Sequence, residues 1–282
     1  MNRKYIFLDI DGTLYSSRIN CIPDSAVEAL REARKTGHKV FLCTGRSLAE
    51  VSRYLNFEVD GFVMGAGAMI YAEGKRIYDH PMKTADVTEI KKLIDSFGMG
   101  YALEGSAGAY CSRSGYESLL WYFGRTEETR EKRIRCCMDN AVYPEDRGDE
   151  TVDKIYKICS FNDCWEPDYP ALEKKLKEPY ILTKSMALEK DHYYTGEVTD
   201  GTINKATAVK RVMEYYQADM KDTIAMGDSG NDIPMLKACR MGIAMGNATD
   251  ETKRSADYVT TDILDNGIRN AFIHCGLIEG EE

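Results

Sequence analysis

Two rhythms of apolar residues alternate along this chain. Short apolar runs end abruptly in polar clusters, and between them apolar residues recur every three or four positions. The first run, Tyr5 to Leu8, is aromatic and branched and reads as a buried strand. Pro23 and Asp24 open a helix with Val27, Leu30 and Ala33 on one face, and Gly37 closes it. His38 to Cys43 is the next strand, followed by Thr44-Gly45-Arg46-Ser47, where Ser47 caps a helix carrying Val51 and Leu55 inward. Strand, helix, strand, helix is the pattern of a parallel sheet with right-handed crossovers. Phe62 to Met64 adds a third strand, and Ala68 to Tyr78 a hairpin turning at Glu73-Gly74.

From about Thr84 the alternation loosens. A helix bearing Val87, Ile90, Leu93 and Ile94 leads to Gly98. Short strands follow at Tyr101-Leu103, Ala109-Cys111, Lys154-Phe161, Ile181-Leu188 and Tyr193-Val198, with an amphipathic stretch over Tyr169-Lys177. Regular alternation resumes at Asn204, which caps a helix with Ala208, Val209, Val212 and Met213 inward. Then come a strand over Thr223-Met226, a helix over Ile233-Cys239, strands over Met241-Met245 and Asp257-Thr260, and a closing helix over Ile268-Leu277. The expected fold is α/β: a Rossmann-like parallel-sheet core built from 1–83 and 199–282, with an inserted α+β domain over 84–198.

Composition narrows the function. The 282 residues carry a formal charge of −9, which argues against non-specific nucleic-acid binding. The charged run Arg125 to Arg135 reads as a solvated helix face, because Glu127, Glu128 and Glu131 offset its arginines. No stretch is long and apolar enough to span a membrane, and the N-terminal apolar run is too short for a signal peptide, so a cytoplasmic location is expected. Nine scattered cysteines, with Cys136 and Cys137 adjacent, read as reduced thiols rather than a disulfide framework, and the four histidines have no metal-ligand spacing.

The candidate chemistry sits where strands end. Asp9 and Asp11 follow the first strand, and period-two alternation would point them the same way. Two carboxylates there are costly without a cation or a hydrogen-bond network, and oxygen-only ligands suit Mg2+. Gly12 permits a sharp turn beside a ligand. Further on lie Thr44-Gly45-Arg46, Lys205, and Gly227-Asp228-Ser229-Gly230-Asn231-Asp232. Ligands of open parallel sheets bind outside the carboxyl ends of the strands, so these clusters can converge. Acids that hold a divalent cation, together with a hydroxyl, backbone N–H groups and a lysine that meet an anion, suit phosphate plus magnesium. Plainer readings exist for each. Thr44-Gly45-Arg46 can be a strand-to-helix turn, and Asp232 can serve a helix N-terminus. Lys205 can be an ordinary first-turn lysine, although the helix dipole disfavours a cation there unless an anion is near.

The order Asp-x-Asp-Gly-Thr, Thr-Gly-Arg, Lys, Gly-Asp-x-x-Asn-Asp resembles the haloacid dehalogenase superfamily. The position of the insert, with Ile243-Ala244-Met245-Gly246-Asn247-Ala248 and Ala256-Asp257-Tyr258-Val259-Thr260, is similar to its Cof-type phosphatases with a C2 cap. That resemblance implies a Mg2+-dependent phosphoric monoester hydrolase acting on a small phosphorylated metabolite, sugar phosphates first, through an aspartyl-phosphate. It makes Asp9 the nucleophile and Asp11 the acid and base. Asp9, Asp11 (through its carbonyl), Asp228 and Asp232 would form or support the metal site. Gly12, Thr44, Gly45, Lys205 and Asn231 would bind phosphate. The cap would select the substrate, with Tyr101, Glu104, Arg113, Tyr116 and Trp121 as candidate lining residues, each of which also reads as ordinary packing or surface. The chain departs from the family pattern at Ala66-Gly67-Ala68, where relatives carry Asn-Gly-Ala, and at Ala206, where glycine is usual. The alternatives are a phosphotransferase or phosphomutase of the same fold and a non-catalytic phospho-ligand sensor.

Overall fold

The computed structural model describes residues 2–51, 57–106, 108–123, 141–142, 154–163, 167–185 and 194–280. The expected charged helix over Arg125–Arg135, Leu55, Cys136 and Cys137, the side chain of Trp121, Tyr193 and the end of the strand expected to reach Leu188 lie outside the described residues. The chain forms two compact units. One comprises Met1–Gly45, Phe57–Asp79 and Ile203–Glu282, and the other Arg46–Asn56 and His80–Thr202.

The first unit is an eight-stranded sheet in the order β14-β13-β12-β1-β2-β3-β4-β5. Its strands are β1 (Tyr5–Leu8), β2 (Lys39–Cys43), β3 (Gly61–Met64), β4 (Met69–Ala72), β5 (Lys75–Asp79), β12 (Thr223–Gly227), β13 (Met241–Ala244) and β14 (Tyr258–Val259). The six strands from β14 to β3 are parallel, and β4 runs antiparallel to its neighbours β3 and β5. All four residues of β1 are buried, as a central strand covered on both faces requires.

Helix α1 (Asp24–Lys35) buries Ala26, Ala29, Leu30 and Ala33 and packs beside α9 (Gly267–His274). Tyr5, Phe7, Phe41 and Val63 pack instead with Ala208, Val209 and Val212 of α6 (Lys205–Tyr215) and with Met235 and Leu236 of α7 (Ile233–Ala238). A short helix, α8 (Asp250–Ser255), follows β13.

The second unit is a six-stranded sheet in the order β10-β11-β9-β6-β7-β8. Its strands are β6 (Gly100–Gly105), β7 (Ala109–Cys111), β8 (Ala141–Val142), β9 (Ile155–Asn162), β10 (Tyr180–Ser185) and β11 (Tyr194–Asp200). Helices α3 (Thr84–Ser96) and α5 (Asp168–Lys175) supply Val87, Ile90, Ile94, Tyr169 and Leu172 to a core that also takes in Tyr101, Leu103 and Ile158. A short helix α2 (Leu48–Val51) and a helix α4 (Arg113–Phe123), which the sequence pattern did not mark, complete the unit. Of the expected lining residues, Tyr101 packs in this core and Arg113 pairs with Glu117 at 3.5 Å. Tyr116 lies against the cluster of Ala102, Ala109, Cys111, Cys159 and Phe161, and Glu104 is buried 3.1 Å from Lys157.

Candidate active site

β1 lies between β2 and β12, so the chain leaves it on one side early and returns on the other side much later. The crevice at such a reversal, outside the carboxyl ends of the strands, is where open parallel sheets place ligands. The Asp9 N–H donates to the Met226 carbonyl at 3.0 Å, which ties the end of β1 to the end of β12. The two acid-bearing motifs, far apart in sequence, are thereby brought together.

Three carboxylates meet there: one oxygen each from Asp9, Asp228 and Asp232 lies within 4.8 Å of the other two. Lys205 is fully buried between two of them, with Nζ 2.5 Å from Asp9 Oδ1 and 2.5 Å from Asp232 Oδ1. It begins α6, whose N-terminus is fixed by a reciprocal cap: Thr207 N–H donates to Asn204 Oδ1 at 3.0 Å, and Asn204 N–H donates to Thr207 Oγ1 at 3.1 Å. The lysine disfavoured by the helix dipole is held by two carboxylates.

Asp232 has both oxygens engaged. Oδ1 meets Lys205, and Oδ2 accepts from the Asp228 and Ser229 N–H groups at 3.0 and 3.1 Å. It therefore serves the turn and the lysine together. Thr13 Oγ1 donates to Asp228 Oδ1 at 3.1 Å. Gly12 has φ +86°, and a Cβ there would stand 2.3 Å from Asp228 Oδ2, so only glycine lets the loop pass this carboxylate.

Thr44 is buried at the end of β2, its N–H donating to the Val63 carbonyl at 2.8 Å. A Cβ on Gly45 would lie 3.8 Å from Asn231 Nδ2, so the Thr-Gly-Arg and Gly-Asp-x-x-Asn-Asp loops are neighbours. Asp11 contributes no oxygen to the three-carboxylate cluster, although its charge reaches Asp228. It is exposed, and its backbone bridges to Tyr15. The strand stops at Leu8, so the alternation that would aim Asp9 and Asp11 alike does not extend to Asp11.

Two residues of the quoted motifs have roles that the sequence does not assign. Asn247 Nδ2 donates to the Gly12 carbonyl at 2.7 Å while its Oδ1 accepts from the Ile263 N–H at 2.9 Å, clamping the Asp-x-Asp-Gly loop. Thr13 is the other, and its place directly after Gly12 was the available signal.

Electrostatics tests the fit of a cation. Burial, then the charge of Asp232, raises the Asp9 carboxyl well above its ordinary range, although Lys205 opposes this. Burial and Asp232 push Asp228 up to about 7, with Asp11 adding to the effect. Burial alone would lower the Lys205 ammonium, but Asp232 and Asp9 raise it instead. One ammonium does not balance three crowded carboxylates. A hard dication would, and an all-oxygen donor set suits it.

The family of haloacid dehalogenase-like hydrolases matches residues 6–272. The chain belongs to that family. It is 28% identical to a putative phosphatase, YkrA, of Bacillus subtilis, over 99% of this chain and all of the relative. It is 27% identical to the 5-amino-6-(5-phospho-D-ribitylamino)uracil phosphatase YcsE of the same organism, over 96% of this chain and 95% of the relative. The solved structure of the phosphatase BT1666 from Bacteroides thetaiotaomicron superposes with a TM-score of 0.77 at 26% identity, covering 98% of this chain and 96% of that one. The haloacid dehalogenase-like chain is thus a phosphoric monoester hydrolase with a small phosphorylated substrate, as the Cof-type resemblance implies. Among its described residues no helix is long and apolar enough to cross a membrane.

Proposed function

We propose that this hydrolase is a Mg2+-dependent phosphatase of small polyol or sugar phosphates, working through an aspartyl-phosphate on Asp9. The observation that carries this is the Asp9–Asp228–Asp232 cluster with Lys205 inside it, at the carboxyl end of β1. An Asp9 oxygen attacks phosphorus, and the bond to the leaving oxygen breaks as Asp11 gives that oxygen a proton. Water then attacks phosphorus while Asp11 takes its proton, releasing phosphate and freeing Asp9. Asp11 suits this exchange because it is exposed to solvent, beside the buried Asp9. Lys205, Thr44, Gly45 and Asn231 hold the transferring oxygens, where positioned positive charge favours the transition state.

Asp9, the Asp11 carbonyl and Asp228 would hold the metal, while Asp232 supports them through Lys205 and the Asp228 N–H. Bound there, Mg2+ would offset the repulsion between an anionic nucleophile and an anionic ester. The unit built around β6 to β11 is assigned the role of substrate-selecting cap. The ribityl phosphate in the name of the YcsE relative supports polyol phosphates as the first class to try.

The test is phosphate release from p-nitrophenyl phosphate and a sugar-phosphate panel, with and without Mg2+, for wild type and Asp9→Asn. Release should need the metal and fall by at least about 1000-fold in the variant, as expected when a nucleophile is removed. Undiminished release by Asp9→Asn would end the proposal.

A further inference from the structure

At the amino ends of β1, β2 and β3 the first unit has a cavity of about 450 Å³. The carboxylate cluster is at the other ends of the same strands, roughly 16 Å away at ~3.3 Å per residue from Lys4 to Asp9. The proposed reaction uses none of the residues here. Five cationic side chains line the cavity, Arg3, Arg31, Arg34, Lys35 and Lys39, against two carboxylates, Glu58 and Asp60. This excess stands out in a chain whose formal charge is −9.

Arg34 and Lys39 are committed to Asp60, both at 3.0 Å. Arg31 reaches Glu58 only at 3.8 Å, with both side chains largely exposed. Arg3 uses Nε on the Gly37 carbonyl at 3.1 Å. Asp60 thus organises the floor, while Arg31, Lys35 and the outer nitrogens of Arg3 keep donors for a ligand.

His38 also lines this cavity and is only 3% exposed. The Lys4 N–H donates to its Nδ1 at 3.0 Å, so the neutral ring carries its proton on Nε2. Nε2 is buried and has no hydrogen-bond partner in the protein. The ring therefore forms part of the cavity's wall, and its resonances can report on what the cavity holds. Burial, with the positive charge of Lys4 near by, lowers the His38 pKa and keeps the ring neutral.

We propose that the cavity lined by Arg3, Arg31, Lys35 and His38 is an anion site for a phosphate group, separate from the catalytic centre. Guanidinium forks match phosphate oxygens in pairs, and Lys35 adds a point charge beside them. The group can arrive as free inorganic phosphate or as part of a phosphorylated metabolite.

The test titrates inorganic phosphate and, separately, phenylphosphonate into the full-length protein with Mg2+, read by calorimetry. Phenylphosphonate has no hydrolysable ester and represents the metabolite-borne group. Wild type should bind at two sites. The double variant Arg31→Glu/Lys35→Glu, changed at surface positions of α1, should keep the catalytic site and p-nitrophenyl phosphate turnover unchanged while weakening the second site at least tenfold. The Nε2–H resonance of His38, assigned through His38→Gln, should shift on phosphate addition in wild type and stay still in the double variant. Arg3→Ala should weaken the second site without altering the fold. Occupancy by both probes assigns the site to a phosphorylated metabolite, and occupancy by inorganic phosphate alone assigns it to the free ion. A single site in wild type, or a second site indifferent to the charge reversals, overturns the proposal. The readout is binding, so it does not depend on which ester the enzyme hydrolyses.

Discussion

Gly12 shows how tightly single residues are specified around the carboxylates. Its φ of +86° and the 2.3 Å separation between a hypothetical Cβ and Asp228 Oδ2 leave no room for a side chain. Gly12→Ala must therefore push Asp228 aside, break the Thr13–Asp228 hydrogen bond, or unwind the loop that Asn247 clamps. Displacements of about 1 Å in a catalytic constellation cost on the order of 100-fold in rate. The expected result is a fall in kcat of about that size with Mg2+ saturating, and a modest drop in Tm. Unchanged kinetics would show that the loop tolerates the move. Lys205 teaches a related lesson: a buried cation between two carboxylates is stable only while both remain.

Among the elements, α6 links folding to the proposed chemistry most directly, because its first residue is Lys205. The Asn204–Thr207 box sets where the helix begins, and so where the ammonium sits. Asn204→Ala should cost about 1 kcal/mol, typical of a lost N-cap. That is a Tm shift of roughly 2–4 °C, read by calorimetry, with a loss of kcat where a purely structural cap would leave the rate alone.

Most elements were legible in the sequence for a physical reason. Strands covered on both faces need continuous apolar runs, so Tyr5–Leu8 and Lys39–Cys43 stood out. Helix α4 did not. Gly115 lies in its first turn and aromatic residues crowd its end, so neither propensity nor apolar spacing marked it. The acids and Thr44 were readable as residue types placed at strand ends, and Lys205 as a cation at a helix start. The engagement of both Asp232 oxygens and the Asn247 clamp were not, because they depend on strand pairing and loop contacts between distant parts of the chain.

On the scale of the whole molecule, acid stability has an identifiable contributor in Asp60. It joins α1 and β2 at the mouth of β3, through Arg34, Lys39 and the Val40 N–H, each at 3.0 Å. Burial alone would raise its pKa, but these three donors overcome burial and hold it below the ordinary carboxylate value. A depressed folded-state pKa means stability that is present above the unfolded value of about 3.9 and lost as pH falls through the folded one. Asp60→Asn should lower unfolding stability by about 1–3 kcal/mol at pH 7, in the range for hydrogen bonds to a charged group. The gap to wild type should close below about pH 4, as followed by urea melts across pH. A gap constant with pH would rule out the ionic origin.

The pairing of β1 with β12 also bears on how the protein is made. Tyr5 lies beside Thr223, and neighbouring Lys4 bridges to Asp222, 218 positions later. At roughly 5–20 residues per second of synthesis, the strand that carries Asp9 waits some 10–40 seconds on the ribosome for its partner. Lys205 is made shortly before that partner, and Asp228 and Asp232 follow it, so for most of the wait Asp9, the proposed nucleophile, stands without any of them. On the proposed mechanism, the emerging polypeptide turns over no phosphoester until the segment that completes the sheet and carries Asp228 and Asp232 has left the exit tunnel.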